Sequence, residues 1–179
     1  DASLAGGERY GDPTELALLD LAAGYQMERE RVELHFPRVD ELPFDSTRKR
    51  MTTLHRTQEG TYISYTKGSP DEILTRCTKW LKDGHVVPLT EADRREIEAV
   101  LNTYTGNALR VLAAACCKEL HAPVIREEGM VFLGFVGMTD PVRDGVAESV
   151  EKFRHAGVQT VMITGDRMDT AFAIAKELG

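Results

Sequence analysis

Apolar residues recur along the chain with two different periods, and the switches between them outline a mixed α and β protein. In GDPTELALLDLAAG, Leu16, Leu19 and Ala23 fall on one helical face. Asp12 stands there as N-cap, Pro13 takes the first helical position, and Glu15 is spaced to close a capping box. From Arg31 to Phe36 the period drops to two: Val32, Leu34 and Phe36 alternate with Arg31, Glu33 and His35, which predicts a half-buried strand ended by Pro37. The run RKRMTTLHRTQEGTYISYTKG reads as a hairpin turning near Gly60, whose second strand sets Ile63, Tyr65 and Lys67 on one face. Ser69 as cap, Pro70 first and Glu72 third predict a helix carrying Ile73, Leu74, Cys77, Trp80 and Leu81. A further helix starts at Thr90, aligns Ile97, Val100, Leu101 and Tyr104, and stops at Gly106. Strands are expected at LRVLAAACC and MVFLGFVG, separated by a loop with Pro123 and the acidic pair Glu127 and Glu128.

From Met130 the order becomes strand, helix (Val146, Val150, Phe153, stopped by Gly157), strand, polar turn and helix. That order predicts a βαβ unit with a right-handed crossover. The turn lies in VMITGDRMDTA, where Thr164, Gly165 and Asp166 follow a strand and precede a helix, the position at which α/β proteins present small polar groups to phosphate. Asp140 also follows a strand end, so two parallel strands bring Asp140 and Asp166 to one sheet edge, although an N-cap role explains Asp140 equally well. The fold class is therefore α+β: an antiparallel sheet with flanking helices, followed by a partial α/β unit.

A 42% hydrophobic content suffices for a sizeable core. The formal net charge of −7 argues against nucleic acid as a partner, which demands clustered positive charge. Three cysteines, two of them adjacent at Cys116 and Cys117, make neither an even disulfide set nor a CxxC pair, as in a reducing compartment. No apolar run approaches the roughly 18 residues of a membrane span. The start at Asp1 and the stop after IAKELG both read as cuts.

Candidate chemistry sits at a few points. Lys67 and Gly68 stand where a strand meets a helix amino end, which favours anions, and an edge lysine beside a turn glycine is the alternative. Phe44 precedes Arg48, Lys49 and Arg50, an aromatic face with cations that suits a nucleotide; a core ring followed by a solvated turn competes with it. Arg110, inside an apolar strand, needs a phosphate or carboxylate partner. The five histidines show no metal-binding spacing.

GDPTE, FDSTRKRM, YTKGSPDEIL, LRVLAAA, GMTDPVRDGV and VMITGD occur in this order over nearly the whole chain. Together they resemble the P-type cation-transporting ATPases, most closely the calcium-pump branch. The resemblance implies a nucleotide-binding domain at 1–129 and part of a haloacid-dehalogenase-like phosphorylation domain at 130–179. It implies that Phe44 stacks on adenine, Glu15 lies beside the base, and Lys49, Lys67 and Gly68 line the pocket. Arg110 and Leu112 would lie on the ribose and phosphate side; Asp140, Thr164, Gly165 and Asp166 would meet the γ-phosphate. It further implies ATP as ligand, Mg²⁺ in the intact enzyme, and a place on the cytoplasmic side of a membrane. The partners would be the transmembrane, actuator and remaining phosphorylation parts of a pump.

The family's phosphorylated aspartate lies in a DKTGT motif and its Mg²⁺-holding carboxylates in GDGxND, and neither string occurs here. The nucleophile is thus expected outside the chain, which would bind nucleotide without hydrolysing it, while 130–179, holding part of a sheet, would self-associate or open early. A haloacid-dehalogenase-type phosphatase and a noncatalytic nucleotide-sensing module are the competing classes. The transported ion is not legible.

Overall fold

A computed structural model describes residues 3–5, 8–107, 109–139, 142–163 and 168–179. Two short strands, β1 (Ser3–Ala5) and β2 (Glu8–Tyr10), pair antiparallel at the start. The chain then forms two compact units, the first of Asp1–Glu91 with Leu112–Val136, the second of Ala92–Val111 with Gly137–Gly179.

Two helices open the first unit, α1 (Pro13–Gly24) and α2 (Arg29–His35). The start of α1 is as its sequence dictates: Asp12 Oδ1 accepts from the Thr14 backbone N–H at 2.8 Å and Pro13 fills the first turn. The second helix corrects the strand expected from Arg31 to Phe36. Six alternating residues cannot separate the two periods, and Arg29 pairs with Glu33 one helical turn on at 2.7 Å. Leu34 is 80% exposed, so no buried sheet face was there to hold a strand.

A seven-stranded sheet follows, made of β3 (Arg38–Asp45), β4 (Arg50–Arg56), β5 (Tyr62–Gly68), β6 (Cys77–Lys82), β7 (His85–Pro88), β8 (Arg110–Leu120) and β9 (Met130–Met138). Its order is β3-β4-β5-β8-β9-β6-β7. Because β6 runs parallel to β9, the sheet is mixed rather than antiparallel throughout. The β4–β5 hairpin turns at Gly60, whose φ of +84° only glycine adopts freely.

The helix after Ser69 is much shorter than its apolar spacing predicts. Only α3 (Pro70–Leu74) forms, and Cys77 to Lys82 is strand. The hairpin turn explains this: Asp83 and Gly84 both take positive φ, joining Lys82 to His85 as a two-residue Asp-Gly turn does.

Register divides β4, β5 and β8 into two faces. Met51, Thr53, Tyr65, Lys67 and Ala114 share one; Arg50, Thr52, Ser64, Thr66 and Ala115 share the other. Buried residues include Leu54, Ile73, Cys77, Cys116 and Met130, and all three cysteines are free thiols. Burial pushes the Cys116 and Cys117 thiols up from their ordinary values.

The second unit holds α4 (Glu91–Gly106), α5 (Val146–His155) and α6 (Met168–Leu178). On α4, Ile97 is buried as its stripe predicts, whereas Val100 is 44% exposed. Gly137 lies so close to Leu109 and Tyr104 that a Cβ there would come within 3.1 and 3.4 Å of them. Residues 158–163 carry no strand, and Ile163 is 93% exposed. The predicted βαβ unit is therefore not formed among the described residues. β9, the strand it would pair with, already has β8 on one side and β6 on the other.

Candidate functional site

The first turn of α1 and the end of β5 bring together two residues 52 positions apart, for the Lys67 ammonium donates to Glu15 Oε1. Their side chains are 27% and 32% exposed. Around this pair lies a cleft of about 280 Å³, lined by Glu15, Arg38, Met51, Thr53, Tyr65 and Lys67. A neighbouring space of about 340 Å³ uses Glu15, Arg38 and Lys67 again, with Leu18, Leu19 and Val32 of the two helices. A wider one, about 660 Å³, opens among Met27, Val32, Phe36, His55 and Tyr65.

His55 is a structural part of this groove. Its Nδ1 lies 2.9 Å from the Phe36 carbonyl, which can only accept, so Nδ1 donates there, and Nε2 lies 2.9 Å from the Thr53 hydroxyl oxygen. The ring meets Tyr65 edge-on at 5.8 Å. Burial raises the Tyr65 hydroxyl above its ordinary value.

Phe44 stands near the end of β3 with its ring 64% exposed, outside the lining of this groove. Beyond it, Asp45 Oδ1 accepts from the Thr47 and Arg48 backbone N–H groups at 2.9 and 2.8 Å, which shapes the turn and holds the carboxyl below its ordinary value. Lys49 is exposed at φ +52°. Its carbonyl accepts from Ser69 N–H at 2.9 Å and lies 2.4 Å from where a Gly68 Cβ would be. Gly68 is thus glycine because Lys49 and Arg50 backbone fills that space.

Arg50 is buried and Arg48 is partly exposed at 26%, and neither lines the cleft. Glu127 takes both: Oε2 accepts from Arg50 Nε at 2.8 Å and Oε1 lies 3.3 Å from Arg48 Nη2. Thr52 donates to Glu127 Oε1 at 2.6 Å, so its own oxygen accepts from Thr66, 2.9 Å away. Burial opposes the Glu127 charge, but the bonds from Thr52 and Arg50 and the charges of Arg50 and Arg48 outweigh it, and the carboxyl is held below its ordinary value. Sequence reasoning noted Glu127 only as part of an acidic loop. The missed signal was Arg50 alternating in phase with Thr52 and Leu54, since an inward arginine requires a carboxylate.

Arg110 is corrected as well: it opens β8 in an exposed position, in the second unit, and is not a buried charge. Leu112, two residues on, is half-buried in the first unit. Asp140, Thr164, Gly165 and Asp166 lie outside the described residues. Among the described residues no His, Cys, Asp and Glu side chains converge as a metal site.

The family model of the P-type ATPase cytoplasmic domain N matches residues 2–145. The chain belongs to this family. As a P-type ATPase N-domain chain it is 46% identical to calcium-transporting ATPase 1 of Bacillus cereus, covering 100% of this chain and 20% of that protein. It is 39% identical to a calcium-transporting ATPase of Bacillus subtilis, over 94% of this chain and 19% of the relative. It is 37% identical to the plasma membrane-type calcium-transporting ATPase 3 of Oryza sativa, over 94% and 17%. The chain therefore spans about a fifth of the length of the curated relatives it matches. Among its described residues no helix is long and apolar enough to cross a membrane. The mixed seven-stranded sheet with helices is consistent with the α+β fold of such a domain.

Proposed function

We propose that this chain is the ATP-binding part of a calcium-type P-type ATPase, with a nucleotide-binding domain at 1–129 and part of a haloacid-dehalogenase-like phosphorylation domain at 130–179. In the whole protein, ATP hydrolysis with Mg²⁺ drives a cation across a membrane, and the transmembrane, actuator and remaining phosphorylation segments are the partners. The observation that carries the reading is the meeting of Glu15 and Lys67 in one cleft across 52 positions of sequence.

The cleft residues suit a nucleotide. Glu15 offers acceptors, Lys67 and Arg38 offer donors, and Met51, Tyr65 and Ala114 supply apolar wall. A half-exposed ion pair can exchange a partner for a ligand, because each charge regains water as it lets go. Phe44, with its ring open to solvent, is the stacking surface, and Lys49 on the exposed turn is free of the Glu127 network that engages Arg48 and Arg50. Arg110 and Leu112 serve the ribose and phosphate side. With neither DKTGT nor GDGxND in the sequence, this stretch binds nucleotide without hydrolysing it. Asp140, Thr164, Gly165 and Asp166 would meet the γ-phosphate in the whole enzyme.

Calorimetry with ATP and ADP tests this. Their affinities are expected within a few-fold, a difference below about 1.4 kcal/mol, with little change on adding Mg²⁺. Phe44→Ala should weaken ATP by about 1–3 kcal/mol, roughly tenfold to a hundredfold, with the fold intact. A Mg²⁺-dependent preference for ATP, or phosphate release abolished by Asp166→Asn, would overturn binding without hydrolysis.

A further inference from the structure

We propose that Asp45 is a positioning residue for the nucleotide and acts through Lys49, an inference that rests on the nucleotide reading above. The family resemblance assigns Phe44 and Lys49 to the ligand and gives Asp45, which stands between them, no part. Yet the turn that carries Lys49 is tied together by Asp45.

Asp45 pairs with Arg50 across β3 and β4, so residues 46–49 form the loop of this hairpin. Asp45 takes three successive backbone N–H groups of that loop. Its Oδ1 accepts from Thr47 and Arg48 at 2.9 and 2.8 Å, and its carbonyl accepts from Lys49 at 2.6 Å. Lys49, the last loop residue, is left-handed at φ +52°, where a Cβ is disfavoured. The strand pleat therefore does not set the direction of the Lys49 side chain; the turn does. The Lys49 carbonyl in turn accepts from the Ser69 N–H at 2.9 Å, so its backbone is pinned from both sides while the side chain stays exposed. Glycine would take this conformation with less strain, so a lysine there is accounted for by what its ammonium reaches rather than by the turn.

A lysine carries a point charge on a flexible four-carbon stem, and that charge has no fixed place unless its root is fixed. A carboxylate accepting from two backbone N–H groups is a charge-assisted tie of that kind. Its negative charge would oppose a phosphate, so Asp45 serves the ligand through geometry and not through attraction.

NMR shift titration of ATP into the full 179-residue chain tests this with Asp45→Ala, Asp45→Asn, Lys49→Met and the Asp45→Ala, Lys49→Met double variant, thermal melts checking that each is folded. Asp45→Ala should weaken ATP about fivefold. Asp45→Asn, whose amide oxygen accepts from the same two N–H groups, should stay within about twofold of the unaltered chain. With Lys49→Met in place, adding Asp45→Ala should cost less than about twofold, because no ammonium is left to position. A merely structural turn residue would cost the same in both backgrounds, and that result would overturn the inference. So would an unchanged affinity in Asp45→Ala, an Asp45→Asn chain as weak as the alanine one, or a Lys49→Met chain that binds as tightly as the parent. Each of these leaves nucleotide binding itself intact, whereas an unaltered chain that does not bind ATP would overturn both readings.

Discussion

The two faces of β4, β5 and β8 carry ion pairs of similar chemistry in opposite settings. On the cleft face Lys67 and Glu15 are 27% and 32% exposed. On the opposite face Arg50 and Glu127 are 10% and 12% exposed and share a network with Arg48, Thr52 and Thr66. Water screens the first pair, so separating it costs little. In the second, both charges have left water and are held by several partners, Glu127 by Arg50, Arg48 and Thr52, and Arg50 by Glu127 and, at 3.6 Å, Glu72. The cleft pair can therefore exchange partners for a ligand, whereas the buried pair fastens the loop after β8 to the sheet.

The largest expected effect lies on the buried face. Glu127→Ala should lower stability by about 3 kcal/mol, because it removes the carboxylate that Arg50 and Arg48 share and leaves Arg50 only its longer 3.6 Å contact with Glu72. Urea unfolding with an unchanged slope measures it, and a loss within about 0.5 kcal/mol would erase the distinction between the faces.

A smaller effect concerns acid. The folded Glu127 carboxyl lies below its ordinary value of 4.5, so in acid the unfolded chain binds more protons than the folded one. Its contribution is complete above that ordinary value and is lost as pH falls through the lowered folded one. Unfolding free energies across the acid range should fall less steeply in Glu127→Gln than in the parent, whereas parallel slopes would remove Glu127 from the acid response.

The smallest stability change belongs to the cleft. Lys67→Met should alter unfolding free energy by less than about 1 kcal/mol, since a half-exposed pair contributes little. Its ATP affinity should nevertheless drop, as seen by titration; a variant that loses stability but keeps affinity would make Lys67 a structural lysine like any on a strand.

Part of the candidate site was legible residue by residue. Lys67 is marked by its place between a strand and a capped helix, and Phe44 by the Arg48, Lys49 and Arg50 that follow it. Glu15 reads locally as a capping residue, and only the packing of α1 against β5 reveals its bond to Lys67. Glu127 reads locally only as half of an acidic pair in a loop, and its partner Arg50 lies 77 positions away. Arg110 misled because an arginine in an apolar run looks buried, while its place at the open start of β8 leaves it exposed.

What the sequence determined alone are features whose causes lie within one turn of chain: the Asp12–Pro13 start of α1, the Gly60 hairpin, and the stripe on α4 with Ile97 inward. Capping bonds, positive φ and side-chain spacing act over about four residues, so neighbours suffice to specify them. What the tertiary structure decided are segments whose local preferences tie. Cys77 to Lys82 is strand because the Asp83–Gly84 turn supplies β7 on one side and β9 is available on the other. Residues 158–163, with an equally apolar pattern, carry no strand. A short apolar run has no preference strong enough to choose between helix, strand and coil; the hydrogen bonds of a free sheet edge make that choice, and a partner strand comes from far along the chain.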